Sequence, residues 1–100
     1  MVGGRDVNEG RIEIFYNNTW GTICDDIWDT RDAIVACRKL GYLQVVRVAL
    51  RAEFGEGTGE IWLDNVECDG DESDLTECLH NGWGSHNCAH REDAGIVCTS

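Results

Sequence analysis

The chain has no proline, one methionine, and only eight lysines and arginines against 19 aspartates and glutamates. Neither an internal repeat nor a low-complexity stretch divides its 100 residues, so residues 1–100 read as one domain with no room for a second. A net charge of −11 excludes a dedicated nucleic-acid binder, which needs a basic footprint. Long hydrophobic runs are missing: the longest, Ala33 to Cys37, falls far short of the ~18 residues of a membrane span. Met1-Val2-Gly3-Gly4 has neither the basic nor the apolar part of a signal peptide. Serine is scarce, and none of Ser73, Ser85 and Ser100 stands in a Gly-x-Ser-x-Gly setting that would expose a nucleophile.

Cysteine, by contrast, is plentiful: Cys24, Cys37, Cys68, Cys78, Cys88 and Cys98. A chain this small buries roughly 60–70% of its unfolded surface, so its core alone is marginal. An even cysteine count without a C-x-x-C pair reads as disulfides and an oxidising compartment, hence an extracellular location. With no leader visible, the expectation is a module cut from a longer secreted or cell-surface protein, with Met1 added for expression. Committed thiols also argue against a Cys/His nucleophile, which needs a free thiolate beside its base, and no enzyme is expected. Spacing alone leaves the pairing open.

Along the chain, Arg11 to Tyr16 alternates apolar and polar residues as a half-buried strand does. Asn17-Asn18 suits φ > 0 and turns it into a second strand, Thr19 to Cys24. Thr30 is placed to cap a helix running to about Leu40, with Ala33, Ile34, Cys37 and Leu40 on one face and Gly41 as the stop. Leu43 to Ala52 reads as a loop whose apolar residues pack inward. Gly55 to Gly59 reads as a mobile loop leading into the strand Ile61-Trp62-Leu63. Ser73 is expected to cap one helical turn through Cys78, and Gly95 to Cys98 to form a closing strand. Trp20, Trp28, Trp62 and Trp83 are assigned to packing between the bridges. The class is a small α+β domain, rich in loops and tied by disulfides.

Three carboxylates, Asp25, Asp26 and Asp29, crowd the five positions after Cys24. Such charges repel, so a fold either solvates them, uses them as helix caps, or gives them a cation. No acidic residue lies between Asp32 and Glu53, where Arg38, Lys39, Arg47 and Arg51 form the main basic concentration; Glu67 to Glu77 holds six carboxylates and no cation. The basic residues are candidate contacts for an anionic ligand, since charges more than ~8 Å away are largely screened. Arg38 and Lys39 equally suit the end of a helix dipole. His86-x-Cys88-x-His90, with His80 nearby, has zinc-ligand chemistry. Alternate positions on an extended segment would, however, point Cys88 away from both histidines. Asn17-Asn18-Thr19 is an N-glycosylation sequon at the turn.

These motifs together resemble the scavenger receptor cysteine-rich domain family. The likeness rests on Val2-Gly3-Gly4, Gly10-Arg11-Ile12-Glu13-Ile14, Trp20-Gly21-Thr22-Ile23-Cys24-Asp25-Asp26 and Ala36-Cys37-Arg38-Lys39-Leu40-Gly41. It continues through Phe54 to Gly59, Ile61 to Val66 with Cys68, Trp83 to Cys88, and Glu92 to Cys98. An eight-cysteine group of the family has an extra bridge whose two places are taken here by Asn8 or its neighbours and by Tyr42, which fits the six-cysteine group. The resemblance implies a curved antiparallel sheet packed on one main helix with long loops. It also implies the bridges Cys24–Cys88, Cys37–Cys98 and Cys68–Cys78, the two long ones contributing roughly 3–4 kcal/mol each in the chain-entropy model.

The resemblance further implies a divalent-cation site at Asp25, Asp26 and Glu92 and a neighbouring one at Asp29, Asp64 and Asn87. Weakly held Ca2+ or Mg2+ is expected, in the extracellular range of about 10⁻⁴ to 10⁻³ M, because few protein oxygens are available. The implied function is non-catalytic recognition of anionic polymers, microbial surface components or an extracellular protein, with a cation bridging to the ligand and Arg47 and Arg51 adding a contact. The alternative is an interaction module accessory to a receptor or secreted enzyme, in which the cation only stiffens the fold.

Overall fold

The computed structural model describes residues 2–4 and 8–99. Seven strands and one helix follow in the order β1 (Val2–Gly3), β2 (Glu9–Arg11), β3 (Glu13–Tyr16), β4 (Thr19–Ile23), α1 (Thr30–Lys39), β5 (Gln44–Ala49), β6 (Glu60–Leu63) and β7 (Gly95–Thr99). Single 3₁₀ turns lie at Leu75–Glu77 and His90–Glu92. One sheet is antiparallel in the order β1-β2-β7-β5, and the other runs β3-β4-β6 with β4 and β6 parallel. The small α+β class is as expected, with the sheet in two parts.

The strand expected from Arg11 to Tyr16 is split at Ile12, which is buried and donates to the Ala94 carbonyl at 3.1 Å. Its two halves therefore belong to different sheets, and Ile12 forms the corner between them. Asn17 and Asn18, with φ of 50° and 65°, make the tight turn that pairs Tyr16 with Thr19.

Helix α1 starts one residue earlier than a Thr30 cap would give. Asp29 is the N-cap, accepting from the amides of Arg31 and Asp32, and the Asp32 carboxylate reaches back to the Asp29 amide. At the other end Gly41, at φ 93°, allows Gly41 N–H to reach the Arg38 carbonyl and Tyr42 N–H the Cys37 carbonyl. This is the Schellman closure that a glycine at that position favours. The buried face is also rotated from expectation. Asp32, Ala33, Val35, Ala36 and Cys37 are buried, whereas Ile34 and Leu40 are exposed. Asp32 turns inward because its other oxygen accepts the Cys68 amide at 2.8 Å. Burial pushes its carboxyl up to about 6.

Three further expectations need correction. Leu43 to Ala52 contains a strand, β5, paired with β7, and a register shift between Val45 and Arg47 breaks its alternation. Of Leu43, Val45, Val46, Val48 and Leu50, Val45 and Val48 pack on the core and the other three are exposed. The Gly55 to Gly59 loop is tied down: Gly55 O accepts from Arg11, Gly57 N–H donates to Asp93 at 2.7 Å, and Gly59 O meets His90 Nε2 at 2.9 Å. The turn before Cys78 is capped by Asp74, with Glu77 completing the box, rather than by Ser73.

The disulfides are Cys24–Cys88, Cys37–Cys98 and Cys68–Cys78, with no free cysteine. Cys37–Cys98 joins α1 to β7 through the core of Ile23, Trp28, Val35, Leu63 and Ile96. The long bridges close loops of 64 and 61 residues, for which the chain-entropy model gives about 4 kcal/mol each.

Candidate functional site: a carboxylate cluster at the end of β4

Three segments meet where β4 ends. Cys24 N–H donates to Leu63 O at 2.9 Å, Asp25 N–H to Glu92 O at 2.8 Å, and Ala94 N–H to Ile23 O at 2.7 Å. The parallel β4–β6 pairing thus brings Asp64 alongside the segment that bears Asp26, while Glu92 approaches from the 3₁₀ turn. Cys24–Cys88 lies between them: its sulfurs are 3.6 Å from Glu92 Oε2 and 3.5 Å from Asp26 Oδ2. One carboxylate oxygen from each of Asp26 and Glu92 lies within 4.8 Å of the other.

Asp64 is fully buried and accepts the Asn65 amide at 2.8 Å. With its amide nitrogen turned inward, Asn87 donates to Asp64 Oδ2 at 3.3 Å and Asp26 Oδ2 at 3.2 Å. Burial, then the charge and hydrogen bond of Asp64, raise the Asp26 carboxyl above its ordinary value. Among the described residues no lysine, arginine or histidine pairs with Asp26, Asp64 or Glu92. Buried like charges without a basic partner are costly. Two oxygens each 2.3–2.6 Å from one calcium lie at most about 5 Å apart, a spacing that the Asp26 and Glu92 oxygens meet.

Of the residues expected to hold cations, Asp26 lies beside Glu92 on one side and beside Asp64 and Asn87 on the other. Asp25 gives an oxygen to the Arg51 amide at 2.7 Å, and Asp29 spends one on the helix N-terminus. Asp93 was not singled out by sequence reasoning, although it is buried and organises the site from below. It accepts Gly57 N–H and meets His90 Nδ1 at 2.9 Å. Its only signal was a carboxylate at the head of an apolar strand.

The basic candidates are mostly engaged. Arg38 donates to the Glu72 carbonyl, Lys39 pairs with Asp74 at 3.3 Å, and Arg47 forms a two-pronged pair with Glu53. Arg51 sits on a turn of two left-handed residues, Arg51 and Ala52, docked on Asp25 and on the Asp93 carbonyl. Of the four, it is the one whose backbone is hydrogen-bonded to the acidic segment. The histidines have structural partners: His80 and His86 accept from Gly82 and Cys88 amides, and His90 bonds Gly59 and Asp93. Burial works against the charged form of His90, but the Gly59 carbonyl and Asp93 outweigh it and raise its pKa. Cys88 is in its bridge, so the zinc arrangement is not formed.

Of the tryptophans, Trp28 is buried and donates to Gly95 O at 3.0 Å. Trp62 lies on Gly21, where a Cβ would meet its ring at 2.3 Å, and Trp83 stacks on Tyr16. Trp20 is 58% exposed and is no core residue.

A small α+β frame tied by three disulfides defines a cysteine-rich domain of the extracellular kind. The profile of the scavenger receptor cysteine-rich domain matches residues 2–99, and the chain belongs to that family. It is 55% identical over 100 residues to the mouse (Mus musculus) macrophage scavenger receptor types I and II; the match covers 100% of this chain and 22% of the receptor. The chain thus spans about a fifth of that relative's length. The third domain of this kind in murine neurotrypsin superposes with a TM-score of 0.92 at 49% identity, covering 100% of this chain and 94% of that one. The corresponding domain of mouse MARCO, solved in a dimeric form, gives 0.86 at 55% identity, covering 92% and 87%. Domains of this family in scavenger receptors are non-catalytic recognition modules.

Proposed function

We propose that the chain is one domain of a longer receptor and recognises anionic groups in a cation-dependent way, with Asp26, Glu92, Asp64 and Asn87 holding calcium or magnesium. The observation that carries this is the convergence of buried and half-buried carboxylates without a basic partner among the described residues. When bound, a divalent cation supplies positive charge and open coordination positions that an anionic ligand can occupy. The protein's part is to fix the oxygens. The Asn65 amide orients Asp64, the Cys24–Cys88 bridge backs Asp26 and Glu92, and Asn87 needs only an amide rotation to present oxygen in place of nitrogen. Arg51 flanks the cluster and is the preferred second contact. The ligand class is anionic polymers, microbial surface components or acidic patches of extracellular proteins.

Titration calorimetry with calcium should give a Kd of about 10⁻⁴ to 10⁻³ M. Retention on immobilised sulfated polymer should be lost in chelator and reduced several-fold by Asp26→Asn. Calcium binding without any effect on retention would favour the interaction-module alternative. Retention that survives chelator but falls steeply with salt would assign recognition to the arginines alone.

A further inference from the structure

We propose that Asn17 carries an N-linked glycan whose first sugars lie over the exposed aromatic surface at the end of the β3–β4 hairpin. Asn17-Asn18-Thr19 is a sequon. It occupies the tip of a two-residue turn, all three residues are exposed, and the Asn17 amide makes no side-chain hydrogen bond among the described residues. Three disulfides imply passage through the oxidising secretory compartment, where such transfer occurs. In that transfer Asn17 Nδ2 bonds to C1 of the sugar on a lipid-pyrophosphate-linked oligosaccharide. The C1–phosphate oxygen bond breaks, the amide loses one proton, and the lipid pyrophosphate leaves.

The same hairpin end carries an otherwise unexplained apolar surface. Phe15 is 55% exposed and Trp20 58%, and they form a cross-strand pair with ring centroids 5.2 Å apart. Tyr16, which immediately precedes Asn17, faces the other side of the hairpin, where it stacks on Trp83. Aromatic faces are electron-rich and pack against the polarised C–H faces of sugars, so a covalently attached glycan is an occupant of suitable chemistry already tethered beside the patch. Continuity of sequon and patch selects this occupant over a separate partner. The placement also spares the cation site. Asn17 precedes β4 and Asp26 follows it, so the five-residue strand puts about 17 Å between glycan and carboxylates.

The test uses the full chain secreted from mammalian cells. Mass spectrometry should find Asn17 occupied, converted to aspartate on enzymatic release of the glycan, unmodified in Thr19→Ala and retained in Thr19→Ser. Asn17→Asp, which tolerates the left-handed turn, gives a second glycan-free control. Nuclear Overhauser contacts should join sugar protons to the rings of Phe15 or Trp20. The glycosylated form should melt about 4 °C above the released form, a difference that Phe15→Thr with Trp20→Thr removes. An unmodified Asn17 in the secreted wild type overturns the proposal. So does an occupied Asn17 with no ring contact and no melting shift. A glycan-free chain that dimerises in solution, and ceases to in Trp20→Thr, would give the patch to a second copy instead.

Discussion

Two regions of this molecule are dense in carboxylates, and they are built in opposite ways. From Glu67 to Glu77 the acids follow one another in sequence, and each key oxygen finds a local donor. Glu72 accepts the amides of Asp69 and Gly70, Glu77 accepts the amide and hydroxyl of Ser73, and Asp74 caps its turn while pairing with Lys39. The Asp69 amide foremost holds the Glu72 carboxyl below its ordinary value, and the Ser73 hydroxyl does the same for Glu77. At the end of β4 the acids come from distant segments, one is buried, and burial together with Asp64 pushes Asp26 the other way. Asp69, Asp71 and Glu72 also bring oxygens within 4.8 Å of one another, so proximity does not separate the regions. The supply of donors does: Glu72, Asp74 and Glu77 accept local donors, whereas Asp26 and Glu92 have no basic partner among the described residues.

Breaking the covalent frame should have the largest effect. Replacing Cys24 and Cys88 together by serine should cost about 4 kcal/mol of unfolding free energy in urea and abolish the response to calcium. Removing Cys68–Cys78, with a separation of 10, should cost less than about 3 kcal/mol and leave that response intact. A calcium response that survives loss of Cys24–Cys88 would show that the bridge does not position the cluster.

Asp32 couples the satisfied region to the helix, because both its oxygens accept backbone amides, those of Asp29 and Cys68. Asp32→Asn turns an N–H donor towards another N–H and should cost about 2–3 kcal/mol by denaturant titration. Its pH signature follows from a carboxyl raised from 3.8 to about 6 by burial. The folded state holds this proton more tightly than the unfolded one. The contribution is therefore complete below the unfolded value and is lost as pH rises through about 6. Asp32→Asn should flatten the stability profile between pH 4 and about 6.

The comparison sharpens with matched neutralisations. At ten times Kd, calcium should stabilise the wild type by about 1.4 kcal/mol, seen as a rise in melting temperature. Asp26→Asn and Glu92→Gln should remove that rise while leaving the cation-free domain as stable as before, or more so, since a repulsion is relieved. Glu72→Gln should do the reverse, weakening the cation-free domain by up to about 1 kcal/mol through lost amide acceptance and leaving the calcium response unchanged. Equal effects at both places would mean that carboxylate density alone governs cation binding.

What could be read from the sequence was local. Asn17-Asn18 specified its turn, Gly41 its helix end, and the cysteine count the absence of free thiols, because each signal acts within a few residues. The bridge pairing and the cation residues came through resemblance. The adjacency of Asp26 and Asp64 is non-local: the parallel β4–β6 pairing, formed by segments nearly 40 residues apart, sets them side by side. Strand β5 was missed because its register shift at Val46 breaks the alternation that marks a strand. Asp29 was legible as cap and as ligand, two compatible readings, and the Arg31 and Asp32 amides show the cap, made through one oxygen.

The smallest expected effect concerns the turn that aims Asp26. Ile27 is 55% exposed and sits at φ 53°, a left-handed conformation that β-branched residues avoid. It closes the turn in which Trp28 N–H donates to Asp25 O at 3.1 Å. Asparagine tolerates that conformation, so Ile27→Asn should stabilise the domain by up to about 1 kcal/mol, read as a higher urea midpoint at constant slope. The comparison gives this variant a second use. If the backbone turn alone aims Asp26, relieving the strain leaves calcium affinity unchanged within twofold. If the strained isoleucine holds the Asp26 carboxylate against its charge repulsion with Asp64, the substitution instead lets the two part, and affinity falls as stability rises. The Cys24–Cys88 bridge and the Asp25–Glu92 backbone bond already fix both sides of the turn, so unchanged affinity is the expected outcome.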